Sequence, residues 1–301
     1  MSIAKYIKEI GRGKDGARPL TREQAADLFG QVLDGTVTEL EVGAFCLAMR
    51  IKGETAQEMA GFLDATETRL HKLPVCGRPV VVLPSYNGAR KLPLLTPLLA
   101  LLLAREGLPV LIHGAASEST RVFTSSVLAA LGIEPLTALD PLQDGTVGFA
   151  PTALLCAGLQ RLLDVRRTVG LRNPAHSLVK LMNPCAGRSL VVSSYTHPEY
   201  AVSMAATFTL IGANALLLRG TEGEPVADPR RMPRMQGFLA GRPQVLEEAQ
   251  SGSVASLSEL PEGTEPTATA HYIRRVLDRE CALPEPIARQ VAHILHLVEQ
   301  L

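Results

Sequence analysis

The stretch Val80-Val81-Val82-Leu83-Pro84-Ser85-Tyr86-Asn87-Gly88-Ala89-Arg90-Lys91 reads as a buried strand running into a short polar loop, and an apolar helical run, Leu92–Leu103, follows at once. In α/β proteins the first strand-to-helix turn holds phosphates through backbone N–H groups and a helix N-terminus. Such loops are usually rich in glycine, so that the backbone can approach the ligand. This one has a single glycine, Gly88, and then two adjacent cations, Arg90 and Lys91. Ser85 and Asn87 can donate to a phosphate and the cations can neutralise it. An ordinary polar turn with Asn87-Gly88 as its positive-φ element would use the same residues.

Outward from this unit the pattern repeats. Short β-branched runs alternate with helical runs: Val80–Leu83 then Leu94–Arg105, Pro109–His113 then Thr120–Leu131, Gly148–Ala150 then Ala153–Val165, Leu190–Ser193 then Glu199–Ile211, and finally Ala215–Arg219. Alternation of this kind implies a mostly parallel central sheet with right-handed crossovers, flanked by helices. Ligands on such sheets sit at the carboxyl ends of the strands, which singles out loops 84–91, 113–121, 193–198 and 219–225. The first ~70 residues differ, and read as all-helical at the usual 3.6-residue period. Thr21-Arg22-Glu23-Gln24 is a capping box, Ala25, Leu28, Phe29, Val32 and Leu33 share a face, and Gly35 stops the run. Further helices are expected from Glu39 to Ile51, ended by Gly53, and from Thr55. The expected architecture is α/β: a small all-helical N-terminal domain, residues 1–72, and a larger α/β domain, residues 73–301. Residues 243–270 are rich in Glu, Ser, Pro and Gly and are expected to be irregular.

The chain of 301 residues is 46% hydrophobic but only 4% aromatic and lacks Trp, so its core must be aliphatic. Apolar runs are too short to span a bilayer, which takes about 20 residues, and no membrane partner is expected. Five cysteines lie far apart with no C-x-x-C pair, which suits a reducing cytoplasm and argues against disulfides or zinc. Net charge is zero, yet it is unevenly spread: residues 1–160 hold 15 Lys/Arg and 16 Asp/Glu, residues 161–242 hold 11 and 5, and residues 243–301 hold 4 and 9. A basic middle block can form a local anion-binding surface, although solvation alone also tolerates such blocks.

The candidates for chemistry follow loop by loop. Beyond Ser85, Asn87, Gly88, Arg90 and Lys91, the second loop offers His113, Ser117, Thr120 and Arg121, which could form an oxyanion cradle or simply cap a helix. Segment 160–188 offers Arg166, Arg167, Arg172 and Lys180 as a phosphate-facing surface or a solvated face. Glu222 and Glu224 could hold Mg²⁺ through substrate phosphates, or could merely solubilise a turn. No catalytic triad or nucleotide-binding glycine loop is present.

Arg166-Arg167-Thr168-Val169-Gly170-Leu171-Arg172-Asn173-Pro174, continuing to Leu181-Met182-Asn183-Pro184, resembles a motif region of the anthranilate phosphoribosyltransferases, in which the arginine matching Arg172 contacts anthranilate. Val110–Gly114 and the serine-rich stretch after it resemble that family's loop touching both substrates. The resemblance implies a class III phosphoribosyltransferase, nucleoside phosphorylase-like fold, with helices from about 168–187 joining the helical domain. The catalytic motifs depart. The family's GTGGD pyrophosphate loop is replaced by Ser85-Tyr86-Asn87-Gly88-Ala89, its KHGN lysine and asparagine are Ile112 and Ala115, and its Asp-Glu metal pair is replaced by a segment like Glu222-Gly223-Glu224.

A divergent branch of that family, the YbiB-type proteins, is more similar. The words Ile7–Lys14, Arg50-Ile51-Lys52-Gly53-Glu54, Pro84–Lys91, Ser194–Tyr200 and Gly220–Glu224 carry the likeness. It implies a homodimer formed through the helical domain, loss of the transferase reaction, no cofactor, and sequence-independent binding of DNA, single- or double-stranded, and of RNA along basic grooves. Base stacking is expected to be minor, because only Tyr86 and Tyr195 lie near the predicted loops. The alternative is an active phosphoribosyl- or glycosyltransferase of altered substrate, using Mg²⁺ and phosphoribosyl pyrophosphate.

Overall fold

The computed structural model describes residues 2–13, 15–115 and 120–301. Four helices open the chain: α1 (Ala4–Ile10), α2 (Arg22–Asp34), α3 (Glu39–Lys52) and α4 (Ala56–Glu67). The last three each begin with a complete capping box, Thr21 with Gln24, Thr38 with Glu41 and Thr55 with Glu58. In each box a threonine hydroxyl and an N3 side chain satisfy two N–H groups that a helix start leaves open. Their shared core is centred on Phe29, Phe45 and Phe62. Phe29 stacks on Phe62 at 4.6 Å, and Phe45 meets both edge-on at 6.2 and 6.0 Å. Glu58 is fully buried and pairs with Lys52 at 2.7 Å while accepting from the Leu20 and Thr55 N–H groups, which ties three helix ends together.

The α/β part follows: β1 (Leu73–Pro74), β2 (Val80–Ser85), α5 (Thr96–Arg105), β3 (Val110–Gly114), α6 (Thr124–Leu131), β4 (Val147–Pro151), α7 (Thr152–Leu155), α8 (Ala157–Val169), α9 (Ala175–Leu178), β5 (Cys185–Ala186), β6 (Ser189–Tyr195), α10 (Pro198–Leu210), β7 (Ala215–Arg219), β8 (Met235–Leu239), β9 (Arg242–Glu247), α11 (Pro266–Leu277) and α12 (Glu285–Val298). The main sheet has the order β4-β3-β2-β6-β7-β8-β9. The first five strands of that order are parallel and the last two antiparallel. β2 is central and buried along its whole length, as a continuous Val/Leu run predicts for a strand covered on both faces. Val80 and Val82 join the core shared with the helical layer. Val81 and Leu83 face the opposite core, with α5, α11 and α12. A two-residue parallel pairing of β1 with β5 marks the passage between the layers. α8 packs on α2 so closely that a Cβ on Gly158 would lie 2.2 Å from the Leu33 carbonyl oxygen, so only glycine fits there.

Three local expectations are corrected. The helix expected from Thr120 begins at Thr124, because Val122 pairs with Ala89 as an isolated bridge. The run Ala153–Val165 is two helices, broken at Cys156, whose backbone is extended (φ −160°). Residues 266–270 of the segment expected to be irregular open α11, and residues 243–247 belong to β9 of the β8–β9 hairpin. Its two-residue turn, Ala240-Gly241, has both φ positive (47° and 77°), a geometry normally signalled by Asn-Gly or Asp-Gly. Residues 248–265 contain neither helix nor strand.

Candidate functional site

In the main sheet β2 has β3 on one side and β6 on the other, so the strand order reverses at β2. Such a switch point leaves a crevice at the carboxyl ends of the strands. The loop after β2 lies there, and its donors are already taken. Glu224, 1% exposed, accepts from the backbone N–H of Asn87 at 2.8 Å and of Gly88 at 2.7 Å, from Thr96 Oγ1 at 3.3 Å and from the Ser85 hydroxyl. Glu222 accepts from the N–H groups of Arg90 (2.8 Å), Lys91 (3.1 Å) and Leu92 (3.3 Å). The N–H groups that would cradle a phosphate are satisfied by two carboxylates of the same chain.

This corrects two expectations. Ser85, Asn87 and Gly88 serve Glu224, and Ser85 is further bonded to Thr124 at 2.6 Å. Glu222 and Glu224, read as a possible Mg²⁺ pair, instead spend their oxygens on N–H and O–H donors. Among the described residues no group of three or more His, Cys, Asp or Glu is placed to hold a metal ion. The segment is pinned from behind: Lys180 Nζ and the Ser194 hydroxyl donate to the Gly223 carbonyl at 2.8 and 2.7 Å, and Asn87 Nδ2 donates to the Glu222 carbonyl at 2.9 Å. Fit is close enough that a Cβ on Gly223 (φ 86°) would lie 1.8 Å from Asn87 Nδ2. Glu222 itself holds the left-handed conformation, φ 52°, a strain that its three N–H contacts offset. The Arg90 and Lys91 side chains are exposed, so they face solvent while their N–H groups face inward.

In the second loop, His113 is fully buried. Its Nδ1 bonds the Tyr86 hydroxyl at 2.7 Å, and that hydroxyl also meets Thr152 Oγ1 at 3.0 Å. Burial pushes His113 down to about 3 and raises Tyr86, so both are neutral core groups. His113 is therefore no anion contact and Tyr86 no stacking surface, contrary to expectation. Arg121 Nη1 donates to the Gly88 carbonyl at 3.2 Å and braces the first loop. Thr120 is exposed, and Ser117 lies outside the described residues.

The open space lies next door. A cavity of about 400 Å³ runs between the α3–α4 corner, α9, the loop after β6 and α10. Arg50, Arg172, Lys180, Tyr195 and Tyr200 are among its lining residues. Lys180 is a buried strut, its ammonium bridging the Ser194 and Gly223 carbonyls, so it does not offer a free cation. Burial pushes it down to about 8, opposed by Glu224. His176 is pushed down to about 3 by burial, then by the charges of Arg172, Arg166 and Arg50; of these, Arg50 and Arg172 line the cavity with it. Burial raises Tyr195, and nearby Arg234 and Arg219 oppose the shift. Two arginines, Arg50 and Arg172, thus line the cavity; Arg219 is in register with Tyr195 across β6–β7, and Arg234 precedes Met235, which pairs with Leu218 one strand further on. Arg50, Arg219 and Arg234 are exposed and make no ion pair among the described residues. Arg167 pairs with Asp164 at 3.4 Å. Of the anticipated basic residues, Arg172 and Lys180 line this cavity; Arg219 opens the candidate loop 219–225 but was not itself expected to contact a ligand, and Arg50, Arg234 and Tyr200 were not anticipated as site residues. Arg219 closes a parallel strand at its carboxyl end, which is the signal that could have found it.

Residues 4–67 match the helical bundle domain of the glycosyl transferase family. The chain is 42% identical over 299 residues to the uncharacterized protein YbiB of Escherichia coli K12, covering 97% of this chain and 93% of that protein. It is 29% identical over 271 residues to anthranilate phosphoribosyltransferase of Sorangium cellulosum, covering 86% and 76% of the two chains. Among solved structures, anthranilate phosphoribosyltransferase of Thermus thermophilus superposes with a TM-score of 0.72 at 23% identity, covering 95% of this chain and 85% of that one. The Saccharomyces cerevisiae enzyme, in complex with PRPP and Mg, does so with a TM-score of 0.68 at 15% identity, covering 99% and 88%.

Proposed function

Because this chain belongs to the YbiB-type, divergent branch of the anthranilate phosphoribosyltransferase family, we propose that it is a sequence-independent nucleic-acid-binding homodimer that no longer transfers phosphoribosyl groups. The observation that carries this is the pairing of a filled cradle with exposed cations at the neighbouring cavity. A single pyrophosphate held for chemistry needs converging N–H groups, and here Glu222 and Glu224 hold them. A polyanion needs spaced surface cations and no cradle. Arg50 at the cavity wall and Arg219 and Arg234 beside Tyr195 meet that need, with Arg90 and Lys91 exposed on the neighbouring loop. Zero net charge does not oppose this, since the acidic excess lies in 243–301, a segment that holds none of these cations.

Self-association is supported by α3. Leu40, Leu47 and Ile51 are 84%, 46% and 61% exposed and recur at seven- and four-residue spacing, so they share one helical face. A second copy is the occupant proposed for that stripe.

Fluorescence anisotropy with labelled single-stranded DNA at several salt concentrations tests the function. Expected is micromolar or tighter binding at low salt that weakens linearly in log[salt] for any sequence. Affinity weaker than about 10⁻⁴ M at low salt, or none of that salt slope, would sink it.

A further inference from the structure

The chain has seven Phe, five Tyr and no Trp. All seven phenylalanines are buried, as are Tyr6, Tyr86 and Tyr272. The two remaining rings, Tyr195 and Tyr200, are partly exposed, and both line the cavity between α4 and α10. Tyr200 also lies 6.4 Å from the His197 ring, centroid to centroid. The accessible tyrosine rings are thus gathered in one cavity, with Arg50 and Arg172 in its lining and Arg219 in register with Tyr195. Aromatic faces beside guanidiniums are the pairing that receives a base and its flanking phosphates.

We propose that this cavity receives one unpaired base of a single-stranded nucleic acid, stacked on the tyrosine rings, with the adjoining phosphates on Arg50 at its wall and on Arg219 and Arg234 beside Tyr195. A volume of about 400 Å³ admits a base with its sugar. The lining hydroxyls of Ser194, Thr207 and Thr55 already donate to the Gly223 carbonyl, the Ser203 carbonyl and the Glu58 carboxylate, so the ring faces and not polar contacts would hold the base. Stacking of this kind is sequence-tolerant, because every base has a π-face. The site would prefer single strands to duplexes, in which bases stay stacked on their neighbours. This inference rests on the nucleic-acid-binding function proposed above.

The test compares a short oligothymidylate with an abasic oligonucleotide of equal length and charge, with anisotropy and intrinsic tyrosine fluorescence as readouts; no Trp obscures the latter. Native protein is expected to bind the base-bearing strand about ten-fold more tightly than the abasic one, with the same salt slope and with tyrosine quenching. Tyr195→Ala with Tyr200→Ala should bring the two affinities together, while Tyr195→Phe with Tyr200→Phe, which keeps both rings, should preserve the ratio. Native protein that binds both strands equally, with a normal salt slope, overturns the base pocket and leaves the polyanion function standing. Failure to bind either strand overturns both.

Discussion

At the residue scale, the decisive groups are Glu222 and Glu224. Each sits where an external anion would sit, and each brings its charge with no loss of translational freedom, so a free phosphate competes poorly. Calorimetry with millimolar phosphoribosyl pyrophosphate and Mg²⁺ is expected to give no binding heat with the native chain; a saturable heat would contradict a filled cradle. Glu224→Ala strips the acceptor from two buried N–H groups and two hydroxyls. It should cost about 3 kcal/mol in urea unfolding, and Glu224→Gln, which keeps one acceptor oxygen, distinctly less. Equal losses for the two would mean the carboxylate's hydrogen bonds do not hold the loop. Lys180 adds a pH dependence. Its ordinary value of 10.5 applies in the unfolded chain, and burial lowers it to about 8 in the fold. Between those values the unfolded chain carries more protons, so stability rises with pH across that window, and the cost of burying the charge is fully present below about 8. Native protein should therefore gain roughly 2 kcal/mol on Lys180→Met between pH 7 and pH 9.5 in denaturant titrations. A constant difference would mean that Lys180 titrates normally.

At the element scale, local signals were read well where the structure is local. The capping box at Thr21, the stop at Gly35 and the strand Ala215–Arg219 all appear as the residues imply, because each depends on neighbours within one turn or one run. The β8–β9 hairpin was not legible, since Ala240 adopts a positive φ that its side chain does not advertise. The break at Cys156 was equally silent, as nothing in Leu154-Leu155-Cys156-Ala157 disfavours a helix. α3 carries its own prediction. Light scattering should report a homodimer, and Leu40→Glu with Leu47→Glu should give a folded monomer, because both side chains are exposed in the single chain. A dimer that survives both charges would put the interface elsewhere.

At the scale of the whole molecule, the parallel sheet and helical layer were legible, and so was the crevice at the strand ends. The contents of that crevice were not. Glu222 and Glu224 meet the first loop across 130 or more residues, a pairing no local spacing encodes. The cations at the cavity are likewise assembled from α3 (Arg50), the α8–α9 connection (Arg172), the end of β7 (Arg219) and the turn before β8 (Arg234). What the fold does is exchange one ligand position for another: the cradle after β2 is closed by the chain itself, and the cations gather around the neighbouring cavity. The most direct measurement is the salt slope of single-stranded DNA binding for native protein and for the triple variant Arg50→Ala, Arg219→Ala, Arg234→Ala. If those arginines hold phosphates, the slope of log K against log[salt] should fall in magnitude by about 2, at roughly 0.7 for each phosphate no longer neutralised, with the fold intact by circular dichroism. An unchanged slope and affinity in the folded variant would contradict the account.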